Sequence, residues 1–211
     1  MITFIVIEGS PLLHLAVLSR RHPCIQINQN ALTSDEQVIQ QTKKWVQEVV
    51  VGCNFCPFAA KVVKQDTIRY EIENGIGLKI GLESFIKACI LMDDDMGIET
   101  MLIIFPLSFQ QFDDYLDLVS MAEKLLEKEG YEGIYQVASF HPQYLFAGAP
   151  VADAANYTNR SVYPMLHILR EASIEKALLK YPDSDQIPER NINFAREKGA
   201  VYMKMLRDSC V

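Results

Sequence analysis

Met101-Leu102-Ile103-Ile104-Phe105-Pro106 is the stretch on which the fold turns. Five apolar residues in a row, too few for a buried helix, read as a strand covered on both faces. Proline then closes it, because a residue without an N–H cannot continue a ladder. Upstream, Thr67-Ile68-Arg69-Tyr70-Glu71-Ile72 alternates as a half-buried strand does, and a helix is expected from about Gly81 to Leu91. Downstream, Ser108-Phe109-Gln110-Gln111 has the form of a capping box. It would open a helix with the stripe Phe112, Tyr115, Leu116, Val119, Ala122, Leu125 and Leu126, closed by Gly130. Ile134 to Phe140 follows as the next strand. Strands separated by helices of this length imply crossovers and parallel neighbours. The expectation is a single α/β domain with a small, predominantly parallel sheet, strands near 67–72, 101–106 and 134–140, and helices packed on it. Functional residues belong just beyond the strand C-termini.

Farther out, Ser34-Asp35-Glu36-Gln37 is a second capping box, and Val38, Thr42, Trp45, Val46 and Val49 form the stripe of an amphipathic helix. That helix delivers the loop Gly52-Cys53-Asn54-Phe55-Cys56-Pro57. On the C-terminal side, Tyr163-Pro164 is read as introducing a helix that carries His167 and Glu171 at i, i+4 with Arg170 adjacent. Pro182 to Asn191 reads as a proline-bracketed turn. Asn191 is expected to cap one last helix with Ile192, Ala195, Tyr202, Met205 and Leu206 inward. Residues 1–32 match neither a signal peptide nor a membrane span, since Arg20-Arg21 follow the apolar run instead of preceding it. They read either as an added edge strand or as a dispensable extension; the extension is the expectation, leaving 33–211 as the domain.

With 211 residues, 49% hydrophobic and 22% charged, the chain is long enough for a core of its own. A net charge of −7 argues against a protein that tracks phosphate backbones, so nucleic acid is not an expected partner, and neither is a membrane. Five cysteines at irregular spacing suggest reduced thiols and a cytoplasmic setting. Asp93-Asp94-Asp95 reads as a solvated helix end. No metal and no cofactor is expected, and the oligomeric state stays open.

The chemistry-bearing residues gather in two places. A glycine able to end one helix and a proline able to begin the next bracket Cys56, which would sit at a helix N-cap and be biased towards thiolate. The segment from Phe140 to Asn191 is dense in His, Arg and Asn. Cys56 as nucleophile or substrate contact, with His141 or His167 as base, has the residue types of covalent catalysis. Asn156, Arg160, Arg170, Arg190 and Asn191 are candidate substrate contacts, the arginines suited to a small anionic molecule. The corresponding expectation is a small-molecule enzyme or binding protein with an anion-preferring pocket around Cys56, His141 and Arg160. Two alternatives stay open: a non-catalytic interaction or structural module with Cys56 buried, and a thiol redox or zinc site at Cys53 and Cys56.

Several phrases carry a family resemblance: Asn54-Phe55-Cys56-Pro57-Phe58-Ala59, Ala138-Ser139-Phe140-His141-Pro142, Phe146-Ala147-Gly148, Asn156-Tyr157-Thr158-Asn159-Arg160-Ser161, Tyr163 to Ser173 and Ile187-Pro188-Glu189-Arg190-Asn191-Ile192. From about Gln40 to Arg196 the chain resembles the bacterial and plastid proteins grouped as domain of unknown function 1415. The resemblance implies candidate positions and no particular reaction. Cys53 stands where that family usually has an aliphatic residue, and the first thirty residues have no counterpart in it.

Overall fold

A computed structural model describes residues 33–179, 181 and 183–211; the expected N-terminal extension lies outside the described residues. Four strands form one sheet in the order β1-β2-β4-β3, with β1 at Ile68–Ile72, β2 at Thr100–Ile104, β3 at Tyr135–Phe140 and β4 at Met165–Arg170. The helices are α1 (Asp35–Trp45), α2 (Ala59–Gln65), α3 (Leu78–Asp94), α4 (Phe112–Lys128), α5 (Glu171–Leu178), α6 (Ile187–Lys198) and α7 (Ala200–Asp208). Among the described residues no helix is long and apolar enough to cross a membrane.

The α/β class and the three expected strands stand, but the sheet is mixed and not predominantly parallel. β1 pairs parallel to β2, whereas β4 lies between β2 and β3 and runs antiparallel to both. β1, β2 and β3 therefore do share one direction, as the intervening helices α3 and α4 require. The error lay in Met165-Leu166-His167-Ile168-Leu169-Arg170, read as helix. It is a central strand, so His167 and Glu171 do not share a helix face. Its Leu166 and Ile168 point to one side of the sheet and Met165 to the other, and all three are fully buried.

β2 shows why the sheet is covered twice. Met101 and Ile103 pack with Phe85, Cys89 and Met92 of α3 and Tyr115, Leu118 and Ala122 of α4. Leu102 and Ile104 face the other way, onto Val38 and Trp45 of α1, Ala195 of α6 and Met203 of α7. All five residues of β2 are buried. The edge strand β1 is less covered: Ile68, Tyr70 and Ile72 turn towards α1, while Arg69 and Glu71 form an exposed ion pair on the opposite face.

Ser34 caps α1 as expected, its Oγ accepting the Gln37 N–H at 3.2 Å. Ser108 does not cap α4. Phe109 adopts φ +57°, the helix begins only at Phe112, and Ser108 Oγ accepts the Gly77 N–H instead. The single C-terminal helix is in fact two, broken at Gly199 with φ +82°. The break changes the phase of the stripe, so Met203 is buried while Tyr202 and Met205 are exposed.

Candidate functional site

The Cys56 loop is shaped by the end of the helix before it. After Trp45 the backbone widens into a π-helical segment, Val46–Val51, whose i to i−5 bonding continues as Gly52 N–H to Gln47 O and Phe55 N–H to Val50 O. A Cβ on Gly52 would lie 2.2 Å from Glu48 O, so only glycine fits the turn. Asn54 then takes a left-handed conformation, φ +53°, which asparagine tolerates.

α2 starts at Ala59 with Phe58 as its N-cap, so Cys56 lies ahead of the helix and not at its cap. The Cys56 thiol is half-buried. Burial pushes its pKa up, and the nearby N–H groups of Phe58 and Ala59 and the Arg190 charge oppose that only in part. Cys53 is also pushed up by burial, against a smaller pull from Lys198. The expected bias towards thiolate therefore loses to desolvation.

α6 holds this loop in place. Asn191, buried, donates through Nδ2 to Phe55 O at 2.6 Å, and Arg190 donates through Nη2 to Asn54 O at 2.5 Å and to Asn191 Oδ1 at 3.0 Å. Phe55 meets Phe194 edge to face, and Phe58 meets Tyr181 in the same way. Asn191 is an interior residue of α6, not its cap.

His141, Asn156 and Arg160 meet in the long loop that joins β3 to β4. His141 is fully buried, its Nδ1 accepting the Gln143 N–H and its Nε2 donating to Phe109 O at 2.9 Å. Its ring lies against Phe112 and Tyr115 of α4. Burial pushes its pKa down, with the Phe109 carbonyl opposing, so the ring is neutral. Asn156, also fully buried, accepts the Phe146 N–H and donates to Pro150 O, both at 3.0 Å. Arg160 donates through Nε to Tyr144 O and through Nη2 to Val151 O, and its guanidinium covers the Tyr157 ring at 4.7 Å.

The last two candidates belong to β4. His167 sits opposite Leu102 and Ala138, and its Nε2 lies 2.5 Å from Thr100 Oγ1. That hydroxyl donates to Ile168 O, so it accepts from the histidine. Burial pushes the His167 pKa down to about 4. Arg170 stands at the C-terminal end of β4, where Nε donates to Ile98 O, Nη1 to Tyr135 Oη, and Nη2 to the carbonyls of Met92 and Asp95 at the end of α3. There Asp93 accepts from the hydroxyls of Tyr131 and Tyr135.

Cys56, Arg190 and Asn191 are thus brought together, and His141, Asn156 and Arg160 form a second group. His167 and Arg170 belong to neither. Among the described residues no hydrogen bond joins Cys56 to a histidine, and no group of three or more His, Cys, Asp or Glu is placed to hold a metal ion. Sequence reasoning passed over Arg207, which donates to Pro142 O and faces Tyr157 from α7, and Trp45, whose indole N–H reaches Arg160 O. Neither carries a local motif; only the fold brings them to the loop.

Fold and site together define a one-sheet α/β protein whose cysteine loop and long polar loop are both clamped by its C-terminal helices. The chain belongs to the family described as protein of unknown function (DUF1415), whose model matches residues 37–205. No curated protein and no solved structure matches it.

Proposed function

We propose that this protein binds a small anionic ligand against the Cys53–Ala59 loop, with Arg190 as the anchor, and that it works by binding and not by a cysteine–histidine reaction. The supporting observation is how the three candidate arginines spend their donors. Arg160 uses two of its nitrogens on carbonyls and Arg170 all three on carbonyls and the Tyr135 hydroxyl, whereas among the described residues the hydrogen bonds of Arg190 use Nη2 alone. Arg190 therefore leaves Nε and Nη1 without a partner among the described residues, while Asn54 O and Asn191 Oδ1 hold Nη2 in place. Among the described residues no carboxylate forms an ion pair with it.

The Arg190 charge is felt at Cys56 and that of Lys198 at Cys53, so the half-buried cysteines of this loop lie in a positive field. An oxyanion meeting Arg190 Nη1 or Nε there would gain a charge-assisted hydrogen bond. In this reading Asn191 positions Arg190 and the loop, while His141, Asn156 and Arg160 hold the long loop against which α6 packs. Both ring nitrogens of His141 are hydrogen-bonded within the fold, His167 is tied to Thr100 through Nε2, and burial makes each a weaker base, which counts against a base acting on Cys56.

Titration calorimetry of the full chain with inorganic phosphate and with succinate tests this. One charge-assisted contact is worth about 1.5–3 kcal/mol, so Arg190→Gln should weaken binding about tenfold or more, while Cys56→Ser should change it little. Absence of saturable binding of either anion, or equal affinity in the Arg190→Gln protein, would sink the proposal.

A further inference from the structure

We propose a second binding site, for a small amphipathic monocarboxylate, in the cleft between α1, α2 and the edge strand β1. The cleft encloses about 330 Å³, at the small end of the ~300–1,000 Å³ typical of ligand pockets. Its two sides differ in character. Gln40, Lys43, Lys44 and Gln47 recur at i, i+3, i+4 and i+7, so one polar, cationic stripe of the first helix and its π-helical extension faces the opening. The far side is apolar, built from Val62 and Val63 of α2 and Ile68 of β1, all only half-buried.

A cationic stripe facing solvent-visible aliphatic side chains suits a ligand with a charged head and an apolar body. The chain carries a net −7, yet two lysines and a single acid, Asp66, border this cleft. Among the described residues neither Lys43 nor Lys44 is in an ion pair. Lys43 is oriented already, its Nζ lying over the Tyr70 ring 5.3 Å from the centroid, whereas Lys44 Nζ donates to Ser209 O at the end of α7, outside the lining. Asp66, the C-cap of α2, opposes a second negative group, which favours a monoanion. α2 separates this cleft from the Cys56 loop at its other end, so neither site depends on the other.

The test is amide chemical-shift perturbation of the labelled full chain by 2-naphthoate, with uncharged 2-naphthamide as the shape-matched control. Saturable shifts are expected at the amides of Lys43, Lys44, Val62, Val63, Ile68 and Tyr70. The naphthamide, and naphthoate on the Lys43→Gln/Lys44→Gln protein, should each bind at least fivefold more weakly, and Lys124→Gln on α4 should leave binding unchanged. Both lysines are exposed, so the double variant should melt like the parent; if it does not, the naphthamide comparison on the parent chain decides alone. No saturable shifts at these amides, or less than fivefold discrimination in the deciding comparison, overturns the proposal.

Discussion

Acid should unfold this protein partly through one ring, that of His167. Its cation is disfavoured in the folded state, where burial holds the pKa at about 4, while in the unfolded chain an ordinary histidine titrates near 6.5. Above both values the ring is neutral in both states and contributes nothing to the pH dependence. As the pH falls below about 6.5 the unfolded chain takes up a proton that the folded one refuses, and stability is lost down to about pH 4. At pH 4.5 the loss from this group is about 2.5 kcal/mol, an upper figure because the ring is only half-buried.

His141 and several carboxylates also titrate in acid, so the parent's pH profile alone cannot isolate His167. His167→Gln can, since a glutamine amide can still donate to Thr100 Oγ1 but does not titrate. Urea denaturation of both proteins near pH 7 and near pH 4.5 gives the answer as a difference of differences. The parent should lose about 2 kcal/mol more than the variant over that interval, whatever the variant costs at neutral pH. Parallel losses, agreeing to within about 0.5 kcal/mol, would show that the ring accepts its proton in place and that burial does not control it.

Asn156→Ala should cost about 3 kcal/mol by the same denaturation assay, because it leaves the Phe146 N–H and the Pro150 carbonyl without their buried partner. Arg170→Lys should lower the melting temperature by roughly 4–8 °C, since an ammonium cannot reproduce the planar fork that serves Ile98, Met92, Asp95 and Tyr135 together. Cys56 should react with a disulfide reagent more slowly than free cysteine at neutral pH and become fast only on unfolding, because burial raises its pKa. A native rate above that of free cysteine would restore the thiolate reading.

The parts legible in the sequence were those where one local signal acted alone. Met101 to Phe105 has no polar face, and every residue of the stripe Val38, Thr42, Trp45, Val46 and Val49 is buried. Met165 to Arg170 failed for a definite reason: it is a central strand that runs directly into α5 at Glu171. A continuous apolar strand joined to Glu171-Ala172-Ser173-Ile174-Glu175-Lys176 presents one uninterrupted window with helical composition, and nothing marks the seam. Inserting that strand between β2 and β3 converts two expected parallel neighbours into antiparallel pairs. Ser108 failed differently, because a hydroxyl that can cap a helix can equally hold another loop, here at Gly77.

The chemical residues are easier to find in the sequence than to interpret. A loop without regular structure must still satisfy its buried carbonyls, and here side chains do it: Arg160 serves Tyr144 and Val151, Asn156 serves Pro150, His141 serves Phe109 and Arg207 serves Pro142. A density of His, Asn and Arg is what such a loop demands, so that density alone does not point to a ligand. What separates the two uses is the donor left over. Arg160 and Arg170 spend two and three nitrogens on the fold, whereas Arg190 is tethered through one, and Lys43 rests on an aromatic face with its three N–H groups unclaimed by any carboxylate among the described residues. Substitution of a fully committed arginine should therefore be felt in stability first. Substitution of Lys43 together with Lys44 should be felt in anion binding with melting unchanged, substitution of Arg190 in anion binding with a smaller loss of melting temperature than at Arg160 or Arg170, and the two kinds of residue can be told apart by measuring both quantities on each variant.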